Sequence, residues 1–396
     1  MSTTEARPAE RGRAGRAGRA GRIAAVRPGY LADLARGTDR FFEPRRTDCP
    51  WCGSARLRER LRTCDLLQHK PGRFVLDECR DCAHVFQNPR LTGAGLEFYY
   101  RDFYDGLGEQ RLGGVFGTRT TVYRARARSV APFTSSPSRP SPASPAPAAA
   151  PPARWLDVGT GHGHFCESAR EVFPDTRFDG LDLSAGVELA QQHGRLAQGF
   201  RGSLPELAPS LAGRYDVVSM FHYLEHSTDP GRELTAARQA LRPGGLLLIE
   251  VPDPQCRYAR LLGRWWLPWL QPQHLNLVPA ANLRRRLGEL GFEVVLEQHG
   301  EAHDPVDLLA AGWLLLDALA PREDAPWLPG TPPGRPRRAL RAALFLAAAP
   351  LLVLAAVLDH LIARVAGRTG LANAYRLLAR RSPSPADEAS GAGHTG

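Results

Sequence analysis

Two acids and three glycines set out the chemistry this sequence can perform. Asp157, Gly159, Gly161 and Gly163 lie in the stretch Trp155 to Phe165, where an apolar run enters a glycine turn and continues into a helix start. Such a turn presents backbone N–H groups to a nucleotide-like cofactor at the carboxyl end of a strand. The spacing is GxGxG, whereas a dinucleotide fingerprint would have its third glycine where His164 stands. Asp157 closes the strand just before the turn; a carboxylate there repels a pyrophosphate and suits a ligand bearing an ammonium and a sulfonium. S-adenosylmethionine is such a ligand. Asp182 ends the next apolar run, Arg177 to Ser184, about 20 residues after the glycines, at the place from which both ribose hydroxyls can be held. Ser203 and Phe221 complete the cofactor-binding set.

The groups able to move a proton come later. Phe221-His222-Tyr223-Leu224-Glu225-His226 follows the strand Tyr215 to Met220, so titratable side chains gather at a strand's carboxyl end. An imidazole titrates near working pH, which makes His226, and after it His222, a candidate base, with Glu225 to orient it or to hold an acceptor. Capping or packing at a helix start is the alternative for each. His274, in Gln271 to Asn276, is the second candidate base. Trp265, Trp266 and Trp269 stand just upstream, either as an apolar wall over an apolar or amphipathic acceptor or as packing for an inserted segment.

Four of the seven cysteines form two CxxC knuckles, Cys49/Cys52 and Cys79/Cys82, with 26 residues between them. Each knuckle aims two sulfurs at one point, and two knuckles complete a tetrahedron about 2.3 Å from a zinc ion. A closed four-sulfur site serves structure, not catalysis. Cys64, Cys166 and Cys256 have no such partner and read as small buried apolar groups.

Around these groups the chain alternates strand-like and helix-like segments. Leu246 to Val251 is a nearly continuous apolar run of the kind a central strand shows, and Ala280 to Leu290 has helical spacing closed by Gly291. Phe292 to Leu296 returns as a strand, and the alternation implies an α/β, doubly wound parallel sheet.

With Asp157, the Gly159 to Gly163 turn, Asp182, Leu224-Glu225-His226 and Pro243-Gly244-Gly245 in order, residues 154–300 resemble the class I S-adenosylmethionine-dependent methyltransferases. The resemblance implies a Rossmann-like seven-stranded sheet whose last strand is antiparallel, which Ala372 to Arg380 would supply after a long insertion. Cys49 to Gly53, Cys79 to Arg90 and the aromatic patch Tyr99 to Tyr104 resemble the amino-terminal zinc module of a bacterial subgroup of that family. The subgroup implies small-molecule acceptors from envelope-glycan, lipid or secondary-metabolite pathways, with O- or C-methylation assisted by a histidine base. Glu225-His226 also resembles a metal-dependent variant among quinone O-methyltransferases; that variant carries a further acid before them, and His222 and Tyr223 do not provide one, so no catalytic metal is expected.

Length and composition allow one large core and a small module: 396 residues, 43% hydrophobic, net charge +10. Lys70 is the only lysine, and much of the arginine sits in a low-complexity repeat near the amino end. The expected organisation is a disordered Arg/Gly-rich tail and lead-in (1–45), a zinc ribbon (46–92) and a helical connector (93–131). A Pro/Ser/Ala linker (132–153), the methyltransferase core (154–300), an apolar helical insertion (301–371), the final strand (372–380) and a disordered tail (381–396) follow. No apolar export signal follows the repeat, so a cytoplasmic location with reduced thiols is expected. Residues 342–358 are uninterrupted apolar sequence flanked by arginines and divided by Pro350. A membrane-spanning helix would strand the last strand away from its sheet. Two readings of 335–366 remain: an apolar hairpin on the inner membrane surface, or a helical cap or dimer face. Nucleic acid is not the expected partner, because the arginines are not interleaved with stacking aromatics. An RNA methyltransferase and a non-catalytic scaffold are the alternatives; oligomeric state is open.

Overall fold

A strand can be apolar along most of its length only if both its faces are covered, and Leu246 to Val251 meets that condition at the centre of the molecule. The computed structural model describes residues 8–102, 120–134, 153–330 and 332–383, with side chains described from residue 18 onward. Its main sheet has seven strands: β4 (Arg154–Val158), β5 (Arg177–Asp182), β6 (Gln198–Arg201), β7 (Tyr215–Phe221), β8 (Leu241–Pro252), β10 (Phe292–Gln298) and β11 (Ala374–Arg381), in the order β10-β11-β8-β7-β4-β5-β6. β11 runs antiparallel to both neighbours, and the pairs from β8 to β6 are parallel. The seven-stranded Rossmann-like expectation therefore holds. Helices α4 (His164–Arg170), α5 (Gly186–Gln192), α6 (Leu204–Leu211), α7 (Pro230–Ala240) and α8 (Ala280–Glu289) form the crossovers, and two apolar clusters fill the two faces. The carboxyl ends of β4, β5 and β7 open on one edge of the sheet, which is where doubly wound folds bind their ligands.

A second sheet has the order β1-β2-β3-β9. β1 (Leu57–Thr63), β2 (Phe74–Cys79) and β3 (Val85–Gln87) belong to the cysteine module, but β9 (Asn276–Leu277) comes from the domain of the main sheet, pairing Val85 with Leu277 and Phe86 with Asn276. The module is thus built into the core. His84 Nε2 to Asn276 Oδ1 (3.0 Å), Gln87 Nε2 to Gln271 Oε1 (2.7 Å) and Arg90 Nη1 to the Thr228 carbonyl (2.6 Å) add side-chain bonds across the same seam.

Four readings need correction or a choice between alternatives, the first being Cys64, which is exposed, whereas Cys166 and Cys256 are buried as expected. Residues 8–35 form a helix, α1, instead of a disordered tail: alanine and arginine are good helix formers, and Ile23 and Tyr30 give the helix an apolar anchor, Tyr30 packing on Phe98 and Trp327. Residues 1–7 lie outside the described part. The apolar insertion is not a hairpin broken at Pro350: α9 (Asp307–Leu319) packs beside a single unbroken helix, α10 (Arg335–Ala363), with Pro350 inside it. Pro350 leaves the Leu346 carbonyl without its helical donor, and Leu346 stands 77% exposed. Trp266 and Trp269 are buried instead of walling a cleft: they meet edge to face at 4.9 Å within a cluster joining β2, β3 and β9, and Trp266 Nε1 donates to Asp307 Oδ1 at 2.9 Å. They therefore say nothing about the acceptor's polarity. The connector is helical in α2 (Gly93–Tyr100) and α3 (Thr120–Arg128), while most of the expected linker (135–152), Phe103 and Tyr104 of the aromatic patch, and residues 384–396 of the carboxyl tail lie outside the described residues.

Candidate active site

β4 ends in a turn that only glycine accommodates with ease. Gly159, Gly161 and Gly163 have φ of 76°, 53° and 75°, the left-handed region. A Cβ on Gly159 would lie 2.7 Å from the Tyr223 ring, whereas one on Gly161 would meet nothing within 4 Å. One side of the turn is closed against the protein and the other is open, as a cofactor cradle must be. Asp182, at the end of β5, accepts the Gly161 N–H on Oδ2 (2.9 Å) and the Ser184 N–H on Oδ1 (2.8 Å). Each oxygen keeps a further lone pair, which is what a pair of ribose hydroxyls requires. Asp157 is only 3% exposed, accepts from Ser219 Oγ at 2.6 Å, and is pushed up to about 6 by burial against the pull of Ser219 and Thr160. It lies beneath the turn, between Ser219 of β7 and Cys166 of α4, whose Sγ is 4.0 Å from Oδ2. Ser203 occupies the N-cap of α6 without making a capping bond, and Phe221 lies against Phe165, ring centroids 4.6 Å apart, with the Arg126 guanidinium 4.6 Å from its own centroid.

The four candidate proton-transfer residues do come together, but in different roles. His222, in a left-handed conformation (φ 49°), lies between two carboxylates: Nδ1 is 3.2 Å from Glu225 Oε1 and Nε2 is 3.4 Å from Glu250 Oε1. Burial disfavours its charge, yet Glu225 and Glu250 outweigh burial and push it up to about 9. It is an imidazolium at neutral pH and is not a base there. His226 and His274 are the opposite case. Burial lowers His226, and burial together with the neighbouring His226 pushes His274 down to about 3, so both rings are neutral. Their centroids are 4.6 Å apart, edge to face.

Which nitrogen of His226 carries the proton follows from its partners. Nδ1 lies 2.8 Å from the Tyr100 hydroxyl and 3.1 Å from the Gln273 carbonyl, and Tyr100 itself donates to that carbonyl at 3.1 Å. With its hydrogen given to Gln273, Tyr100 accepts, so Nδ1–H donates and Nε2 keeps the lone pair. His274 Nδ1 donates to the Pro268 carbonyl at 2.7 Å, which frees its Nε2 in the same way. Glu225 Oε2, in a residue 1% exposed, has no hydrogen-bond partner among the described residues. Ligand atoms of Glu225, His226 and His274 all lie within 4.8 Å of one another. His274 thus brings, from a distant loop, the third donor that the local motif lacks at position 222.

Several residues behind this arrangement carry no local sequence signal. Tyr100 ends α2, whose last carbonyls are held by the buried Lys70: Nζ donates to Phe98 (2.9 Å), Tyr99 (3.1 Å) and Arg101 (2.7 Å). Glu250 is clamped by Arg376 (Nη2 at 2.6 Å, Nε at 2.8 Å) on one oxygen and by Arg126 on the other. Burial opposes its charge, but Arg126, His222 and Arg376 hold it well below the usual range. A lone acid inside a buried strand was the one available hint, since such a charge must be paired.

At the cysteine module the Sγ atoms of Cys49 and Cys82 lie 3.7 Å apart and those of Cys52 and Cys79 3.6 Å, with all four within 4.8 Å. A tetrahedron with ligands about 2.3 Å from zinc has edges of about 3.8 Å, so the set fits. The two knuckles close alike: Gly53 N bonds the Cys49 carbonyl (2.9 Å) and Ala83 N the Cys79 carbonyl (2.8 Å), both residues at positive φ.

The family profile described as a methyltransferase domain matches residues 136–297. A ubiquinone biosynthesis O-methyltransferase of Marinobacter nauticus is 35% identical over 167 residues, covering 39% of this chain and 68% of that one. One of Aromatoleum aromaticum is 27% identical over 164 residues, covering 39% and 69%. The chain spans about half the length of other relatives so described, such as 49% for that of Cereibacter sphaeroides. Among solved structures, an S-adenosylmethionine-dependent methyltransferase of Archaeoglobus fulgidus is 15% identical with a TM-score of 0.41, covering 69% of this chain and 99% of that one. Magnesium protoporphyrin IX methyltransferase of Synechocystis PCC 6803 has 15% identity and a TM-score of 0.40, covering 72% and 99%.

Proposed function

The chain belongs to the class I S-adenosylmethionine-dependent methyltransferases, and from that premise we propose that it methylates a hydroxyl oxygen of a small-molecule acceptor, with His226 as the base. The observation that carries this reading is the pairing of His226 Nδ1 with Tyr100 and Gln273, which fixes the tautomer and leaves Nε2 able to accept a proton. The bound cofactor supplies an electrophilic methyl group; the protein must hold the acceptor in line with it and take one proton. When His226 takes that proton, Glu225 favours the cation formed, and Nδ1–H keeps both its acceptors. His222, bound to Glu225 and Glu250, keeps Glu225 ionised: burial opposes the charge, but His222 holds the carboxyl below its usual range. Asp182 and the glycine turn serve the cofactor, and Cys49, Cys52, Cys79 and Cys82 would hold a zinc ion that would fix the ribbon leading into α2.

One observation favours a second reading of the same site. The unpartnered Glu225 Oε2, with the neutral His226 and His274, is a donor set that a divalent cation would accept, and such an ion would polarise the acceptor hydroxyl. The experiment for both is incubation with methyl-labelled donor and fractionated cell extract, with and without chelator. Label in a small-molecule fraction, lost in His226→Ala and insensitive to chelator, supports the base. Loss on chelation with rescue by an added divalent ion supports the metal. Label in RNA overturns the small-molecule reading, and no label in any fraction favours a scaffold.

A further inference from the structure

Helix α10 is apolar, long and almost uncovered. It has 29 residues, about 43 Å at 1.5 Å per residue, and its most apolar 18-residue window has a mean hydropathy of 2.3 with 6% of that window buried. Among its own residues only Asp359 is buried. Leu346 is 77% exposed and Leu351 70%, and Val353, Leu354, Val357 and Leu361 are exposed beside them. Together they make an apolar face of the kind that soluble monomers rarely leave bare.

The helix cannot cross a bilayer, because it is tied to the body near both ends. Near its carboxyl end, Asp359 accepts the Leu308 and Leu309 N–H groups at 3.0 Å each, capping α9. Toward its amino end, Arg341 pairs with Asp317, which also bonds His69 Nε2 of the ribbon module at 2.6 Å. The two ties are 18 residues apart. A helix held so lies along the protein surface.

The charges at its start choose the occupant. Arg335, Arg337 and Arg338 crowd the first turn, with no acid there, although cations at a helix amino end oppose the helix dipole. They are exposed and make no ion pair among the described residues. Their placement costs helix stability and is recovered if an anionic surface runs alongside. A second copy of the chain would cover a single stripe, whereas this helix is bare over all but the stripe that meets α9.

We propose that α10 lies in the plane of a membrane surface, its leucine and valine face in the acyl region and Arg335, Arg337 and Arg338 on the phosphates of anionic lipids. The test is sedimentation of the full chain with vesicles of phosphatidylcholine alone or mixed with phosphatidylglycerol. Sedimentation velocity without lipid and S-adenosylhomocysteine titration accompany it. The expected result is capture by the mixed vesicles. The triple change of Arg335, Arg337 and Arg338 to Gln should weaken that capture on the order of 100-fold, from about 1 kcal/mol per basic residue. Leu346→Glu with Leu354→Glu should abolish it while S-adenosylhomocysteine binding stays unchanged. A protein that stays in the supernatant with both vesicle types overturns the proposal. So does a dimer that the leucine substitutions dissociate without any vesicle capture. Cofactor titration reads the methyltransferase site separately, so failure of one is not failure of the other.

Discussion

Tyr100→Phe tests the assignment of the base more sharply than removal of the base itself. The hydroxyl accepts from His226 Nδ1 at 2.8 Å and donates to the Gln273 carbonyl at 3.1 Å, but that carbonyl also lies 3.1 Å from Nδ1. Without the hydroxyl, Nδ1–H turns wholly to Gln273, the tautomer survives, and one net hydrogen bond of about 1 kcal/mol is lost. The expected cost is about 5-fold in kcat/KM. His226→Ala removes the proton acceptor and should cost roughly 10²–10⁴-fold. The assay is the initial rate of label transfer across pH. A base must be deprotonated to act, and burial lowers His226, so the acid limb of kcat/KM should have its midpoint below the ordinary value of 6.5 and vanish in His226→Ala. A Tyr100→Phe loss as large as that of His226→Ala refutes the scheme, since the phenol would then be the group in contact with the acceptor.

His222, pushed up to about 9 by Glu225 and Glu250, contributes stability that is full below 6.5 and is lost as pH rises through about 9; thermal melting should show that decline, and His222→Gln should flatten it. Asp182→Ala removes a carboxylate that organises Gly161 and Ser184, and calorimetry should show S-adenosylhomocysteine affinity at least about tenfold weaker, at about 1.5 kcal/mol or more per charge-assisted bond. Glu250→Leu strands Arg126 and Arg376 in the core, and denaturant melts should show a loss of about 3–5 kcal/mol. Metal analysis should give zinc bound per chain in the intact protein and its loss in Cys52→Ser, accompanied by a lower melting temperature.

What could be read in the sequence was whatever depends on neighbours along the chain. The glycine turn, the CxxC knuckles and the antiparallel last strand are set by local backbone demands or by a resemblance built on them, and each appears as expected. The site's wiring was not legible. Tyr100 meets His226 across 126 positions and Arg126 meets Glu250 across 124, and nothing in either segment names its partner. The histidines illustrate the limit well: His222 and His226 are four residues apart on the same loop, yet two carboxylates make one a cation while burial keeps the other neutral. The tryptophans are left open by the sequence because a short cluster of large rings looks the same whether it faces a cleft or a core; Asp307, accepting the Trp266 N–H, decides for the core.

The two-residue strand Asn276–Leu277 begins two positions after His274 and ends the ribbon's sheet. Any attempt to exchange this head for that of another enzyme therefore has to carry those two positions with it, or the transplanted head will lack its outermost rung and the histidine loop its fixed footing. Ribbon and histidine loop are a matched pair, and the head is not a detachable cap.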